Sequence, residues 1–159
     1  MKIMRTNSSN SDFKELCFQL DNDLNERYGK AQSKYDKHNT IENNQTVIVG
    51  YFEEIPVASG CFKAIDENSI EIKRMYVKPA HRRKGLATKI LSGLESWAKE
   101  LGYSFVRLET GKGQPEAIDL YKKAGYEVTE NYGPYIGIEN SVCMKKKIEN
   151  YNQSFHLTR

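Results

Sequence analysis

The chain has 159 residues, enough for one domain with its own core and too few for two ordinary ones. Hydrophobic residues make up 38% and charged residues 28%, which excludes wholesale disorder, and a net charge of +3 is too small to imply nucleic-acid binding by itself. No apolar run approaches the roughly 20 residues needed to span a bilayer, and the opening MKIMRTNSSNSD has no apolar stretch of a secretion signal. The expectation is a cytoplasmic protein that engages neither membrane nor nucleic acid. Three cysteines (Cys17, Cys61, Cys143) and three histidines (His38, His81, His156) are scattered along the chain. None has the spacing of a metal site, so the cysteines read as small buried hydrophobes and no bound metal is expected.

In chain order, residues 2–6 suit a short strand. Asp12 followed by Glu15 reads as a capping box, and Phe13, Leu16, Cys17, Leu20 and Leu24 recur at helical spacing, which predicts a helix over 13–28. Residues 29–45 are polar and read as a short helix or a loop. TVIVGYF (46–52), VASGCFKAI (57–65) and IEIKRMYV (70–77) are rich in β-branched and aromatic residues and read as strands. The alternation of the third slips near Lys73 and Arg74, which points to a bulge. After Pro79 the period lengthens. Leu86, Ile90, Leu94, Trp97 and Leu101 mark one face of a helix over 85–101, closed by Gly102. A strand over 104–110, a helix over 114–125 opened by Pro115 and stopped by Gly125, and strands over 126–130 and 141–147 complete the pattern. The order predicts one mixed α/β or α+β domain over residues 1–148, with 149–159 a loosely held tail.

The basic run Arg82, Arg83, Lys84 falls where the helix over 85–101 begins. A helix start presents unpaired N–H groups and the positive end of the dipole, so each cation there costs about 0.3–1 kcal/mol. A bound phosphate removes the conflict, because it accepts the N–H groups and neutralises the side chains. Gly85 and Ala87 are small enough to let the backbone approach such a ligand. The bland alternative is a solvated basic turn.

The stretch EIKRMYVKPAHRRKGLATKIL resembles the central motif of the GCN5-related N-acetyltransferases: Gln or Arg, two variable residues, Gly, one variable residue, Gly or Ala. Arg82, Gly85 and Ala87 occupy its fixed positions, after a strand ending in Met75, Tyr76 and Val77. Downstream, AIDLYKKAGYE (117–127) resembles the family's second signature, including Tyr121, Gly125 and Tyr126. The resemblance covers about residues 46–147. It implies a single domain with a central, mostly antiparallel sheet of six to seven strands and about four helices. It also implies acetyl transfer from acetyl-CoA, as co-substrate, to a primary amine of a small molecule or peptide by direct attack in a ternary complex.

By the same resemblance, the pantetheine arm pairs with the backbone of Met75, Tyr76 and Val77, an edge augmentation. The pyrophosphate meets Arg82, Arg83, Lys84, Gly85, Leu86, Ala87 and Thr88. Tyr121 reaches the departing thiolate as general acid and also contacts the coenzyme. The chemistry needs an amine freed of its proton and donors for the developing oxyanion. For the base the resemblance favours Glu71, with Glu109 as runner-up. Many relatives carry Asn shortly before the helix of the tyrosine; here the nearest equivalent is Gln114, an amide with the same donor and acceptor. Tyr28, Tyr35, Tyr132 and Tyr135 lie in the segments where such proteins differ most, and suit either an acceptor pocket or plain packing. A homodimer is left open, and an acyl-CoA sensor without transferase activity is the alternative reading.

Overall fold

The computed structural model describes residues 1–29 and 43–148; most of the expected helix or loop over 29–45, Tyr35 with it, and the expected tail lie outside them. The elements are β1 (Lys2–Thr6), α1 (Ser11–Tyr28), β2 (Val47–Phe52), β3 (Ile55–Ala64), β4 (Ser69–Val77), α2 (Leu86–Glu100), β5 (Phe105–Gly111), α3 (Pro115–Lys123), β6 (Glu127–Thr129) and β7 (Ser141–Lys147). Short 3-10 turns occupy Pro79–His81 and Gly133–Tyr135. The seven strands form one sheet in the order β1-β2-β3-β4-β5-β7-β6. Among the described residues no helix is long and apolar enough to cross a membrane.

Packing divides the chain into two units, and β4 and α2 each contribute to both. The first comprises the described part of Met1–Lys63 with Lys73–Leu94. Here the first four residues of β2 are apolar and buried because both faces of the strand are covered there. Val47 and Val49 pack with Phe13, Leu16 and Leu20 of α1, together with Cys61 and Tyr76. On the other face, Ile48 lies where a side chain on Gly93 of α2 would strike it. A β-carbon on Gly60 of β3 would likewise come within 2.5 Å of the Met75 sulfur and near Ile90 and Leu94, so glycine there permits the close packing of helix on sheet.

Two readings are corrected. Asn10, not Asp12, caps α1: its backbone is extended and its side chain accepts the Phe13 N–H at 3.0 Å. Asp12 sits within the first turn and accepts the Tyr51 hydroxyl at 2.7 Å. Burial and then this carboxylate push the Tyr51 phenol up to about 12. Leu101 is 56% exposed, while Leu91 and Ala98 complete the buried face of α2. The helix ends at Glu100, so Leu101 no longer follows the helical period, and Gly102 turns the chain at φ +95°. The slip expected near Lys73 and Arg74 falls on a strand residue in the left-handed region: Arg74 has φ +60°. Its side chain is buried, ion-pairs with Asp21 at 2.8 Å and donates to the Cys17 carbonyl at 2.8 Å.

The second unit comprises Ala64–Ile72 with the described part of Glu95–Arg159. β5 and β7 are antiparallel from Phe105↔Lys147 to Gly111↔Ser141, and β6 pairs with the other edge of β7. Parallel pairing of β4 with β5 covers Ser69, Ile70 and Glu71. Pro115 opens α3, where its missing N–H costs nothing, and Gly125 at φ +97° follows its end. The Tyr126 hydroxyl donates to Glu95 at 2.6 Å, and Lys146 pairs with the same carboxylate at 3.0 Å.

Candidate active site

In the first unit, the chain leaves β4 at Val77, passes the turn at Pro79–His81 and reaches α2 through residues 82–85. Arg82 is held by the protein itself. Its Nε donates to the Val77 carbonyl at 2.8 Å, its outer nitrogen pairs with Asp23 at 3.2 Å, and its guanidinium lies 5.6 Å from the Tyr76 ring centre. Arg82 therefore ties the segment to the end of β4. Arg83 and Lys84 are exposed and have no ion pair or hydrogen bond among the described residues. Arg83 has φ +65° and Gly85 φ +77°. A β-carbon on Gly85 would meet nothing within 4 Å, so it is the left-handed backbone that favours glycine here.

The first turn of α2 contains no acidic residue to offset the cations. The first internal bond of that turn runs from the Lys89 N–H to the Gly85 carbonyl, which leaves the N–H groups of Leu86, Ala87 and Thr88 without helical acceptors. Leu86 is buried and anchors the helix start, while Thr88 faces solvent. Free cations, unpaired N–H groups and a left-handed glycine together form a surface suited to an anion. Met75 is half-buried, and Tyr76 and Val77 are buried.

In the second unit, Glu71 is 3% exposed, a depth at which a carboxylate needs hydrogen bonds. The Tyr132 hydroxyl donates to its Oε2 at 2.7 Å, and the Tyr135 hydroxyl is also bonded to it. The two rings meet edge to face at 5.5 Å, and the Arg107 guanidinium stands 5.1 Å from the Tyr132 ring centre. Burial and then the charge of Glu71 hold the Tyr132 phenol well above its ordinary range, so it stays neutral and remains a donor. The same holds for Tyr135, with Glu109 contributing. Glu109 is half-buried and accepts the Ser141 hydroxyl at 2.6 Å.

Tyr121 is buried in α3, and its ring meets that of Tyr126 edge to face at 5.8 Å. Burial raises its phenol, and its hydroxyl has no hydrogen-bond partner among the described residues. Gln114 stands at the N-terminus of α3, where its side-chain oxygen accepts the Thr110 hydroxyl at 3.3 Å. Among the described residues no group of three or more His, Cys, Asp or Glu side chains could hold a metal ion. The sequence reading missed the bonds from Tyr132 and Tyr135 to Glu71, the Arg107 contact and the Ser141–Glu109 bond. The only signal was the Gly-Pro-Tyr turn, which places Tyr132 and Tyr135 three residues apart.

Known proteins resemble this chain in sequence and in fold. YyaT, an uncharacterized Bacillus subtilis protein, is 28% identical over 125 residues, 79% of this chain and 81% of its own length. The uncharacterized N-acetyltransferase YsnE of the same organism is 35% identical over 91 residues, 56% of this chain and 60% of that one. A Klebsiella pneumoniae structure named as a candidate acyl-CoA N-acyltransferase superposes with a TM-score of 0.76 at 27% identity, covering 92% of this chain and 96% of the other. A GNAT family acetyltransferase from Elizabethkingia anophelis, solved with acetyl-CoA bound, shares the fold with a TM-score of 0.66 at 14% identity, covering 92% and 97%. The acetyltransferase (GNAT) family profile matches residues 12–126, from the first turn of α1 through the helix carrying Tyr121, and the chain belongs to that family.

Proposed function

We propose that this chain, with residues 1–148 as one catalytic domain, transfers the acetyl group of acetyl-CoA to a primary amine of a small molecule or peptide. The observation that carries the reading is the start of α2, where Arg83 and Lys84 have no partner among the described residues and stand beside N–H groups without helical acceptors. A pyrophosphate supplies the missing charge and the missing acceptors together. In this reading Arg83, Lys84, Gly85, Leu86, Ala87 and Thr88 hold the phosphates, the last three through backbone N–H groups. Arg82 shapes the segment. The backbone of Met75, Tyr76 and Val77 pairs with the pantetheine arm, and Gln114 offers its amide to the coenzyme. Glu71 accepts the proton that the amine must lose, with Glu109 as the alternative, and a backbone N–H near Met75 stabilises the oxyanion. Tyr121 then protonates the departing thiolate; its raised, neutral phenol, with a hydroxyl that has no partner among the described residues, supports this role.

Calorimetry tests the coenzyme reading. Wild type is expected to bind acetyl-CoA and CoA in preference to oligonucleotides, and Gly85→Glu is expected to raise the acetyl-CoA Kd at least about tenfold, roughly 1.4 kcal/mol. Unchanged affinity in a folded Gly85→Glu variant would overturn the phosphate assignment. Release of free thiol against a panel of primary amines then separates a transferase from an acyl-CoA-binding protein without transfer.

A further inference from the structure

We propose that Tyr132 relays the proton between the acceptor amine and Glu71. The inference rests on the reading of Glu71 as the base and adds a residue that the reading does not contain. Glu71 is 3% exposed and offers almost no surface to a solute, whereas Tyr132, bonded to it at 2.7 Å, is only half-buried. The phenol is thus the accessible end of the pair. A hydroxyl that donates to a carboxylate keeps lone pairs that can accept an N–H. An ammonium seated on the phenol oxygen can therefore pass its proton in one concerted movement. One N–H bond breaks and an O–H bond forms on Tyr132, while the original Tyr132 proton moves to Oε2 of Glu71. The products are a neutral amine, a neutral phenol and a protonated Glu71, which returns its proton to solvent by the reverse path after product leaves.

No phenolate is needed, in keeping with the burial and carboxylate charge that oppose phenol ionisation. The charged and titratable groups around the pair include Arg107 against the Tyr132 ring, Tyr135 bonded to Glu71, Cys143 of β7, and Glu109, whose charge acts on Tyr135 and Cys143. Tyr135 is also bonded to Glu71, but at 2% exposure it cannot meet an acceptor. It is a brace that keeps the carboxylate in place.

The test compares Tyr132→Phe, Tyr135→Phe and Glu71→Gln, using the primary amine from an amino-acid and polyamine panel that releases CoA thiol fastest. For Tyr132→Phe, kcat at neutral pH is expected to fall about 10–100-fold. The deficit should shrink as pH rises and more amine arrives deprotonated. Tyr135→Phe should lose less, with a deficit independent of pH. In wild type, single-turnover rates in mixtures of light and heavy water should depend non-linearly on deuterium content, because two protons move together; this measurement needs no variant to fold. A Tyr132→Phe rate equal to wild type, a deficit constant across pH, or a linear dependence in wild type would each overturn the relay. Impaired Glu71→Gln beside intact Tyr132→Phe removes the relay alone. Undiminished Glu71→Gln removes the base assignment and the relay with it.

Discussion

The segment before α2 and the tyrosine–carboxylate clusters of the second unit handle charge in opposite ways. At residues 83–85 two cations stand exposed with no partner among the described residues, at a helix end whose dipole opposes them. Around Glu71 and Glu95 the reverse holds: the buried carboxylate of Glu71 has Tyr132 and Tyr135 as donors, and the partly buried one of Glu95 has Tyr126 and Lys146. The first arrangement is locally unfavourable and becomes favourable only with an anion bound. The second is complete without a ligand, because an unpaired buried carboxylate would cost several kcal/mol. Cations left without partners among the described residues thus mark where an anion is expected, and the paired carboxylates mark where geometry is held, whether for the fold alone, as at Glu95, or for a proton to move, as proposed at Glu71. Tyr121 breaks the pattern of its own unit, since its hydroxyl has no partner among the described residues.

That exception gives the largest expected effect. Tyr121→Phe keeps the ring packed on Tyr126 and removes a hydroxyl that nothing in the described fold uses. Its melting temperature should match wild type while kcat falls about 10²–10⁴-fold, the usual range for a general acid. Steady-state kinetics with a melting curve decides it, and full activity in the folded variant would return Tyr121 to a packing role. Tyr126→Phe should behave in the opposite way. It removes a donor from Glu95 and should cost about 1–3 kcal/mol in denaturant unfolding, with acetyl-CoA affinity unchanged. A neutral result would mean that Lys146 alone satisfies that carboxylate.

The loop prediction is smaller and sharper. Replacing Arg83 and Lys84 together by Ala should weaken acetyl-CoA about tenfold, roughly 1.4 kcal/mol, without lowering the melting temperature of the free protein. A drop in stability would show that these cations serve the fold, and the contrast with the clusters would fail.

The smallest effect concerns alkaline pH. The ordinary phenol value is 10.0; Tyr51 is raised to about 12, and Tyr121, Tyr126, Tyr132 and Tyr135 are also raised, burial being the largest cause in each. Above pH 10 the unfolded chain sheds phenol protons that the folded chain retains, so the unfolded state binds fewer protons and stability falls as pH rises. Their contribution is present in full below pH 10 and is lost as pH climbs toward the folded values. Melting temperature between pH 8 and 11 should decline, less steeply in Tyr132→Phe; identical slopes would remove Tyr132 from the effect.

What the sequence determined by itself was whatever depends on neighbours in the chain. The period of α2, the strands at Lys2–Thr6 and Ser141–Lys147, and the run of three cations at a helix start are all local patterns, and all are found where the spacing put them. So is the kink at Arg74, visible as a slip in alternation. The tertiary structure decided what those patterns touch. Nothing local says that Asn10 rather than Asp12 caps α1, because Asp12 is drawn to Tyr51, 39 positions away. Nothing local says that Arg82 braces the end of β4 while its two successors have no partner among the described residues. The bond from Tyr132 to Glu71 joins residues 61 positions apart. It exists because burying a carboxylate in a strand demands donors, and the chain supplies them from wherever folding brings a phenol within reach.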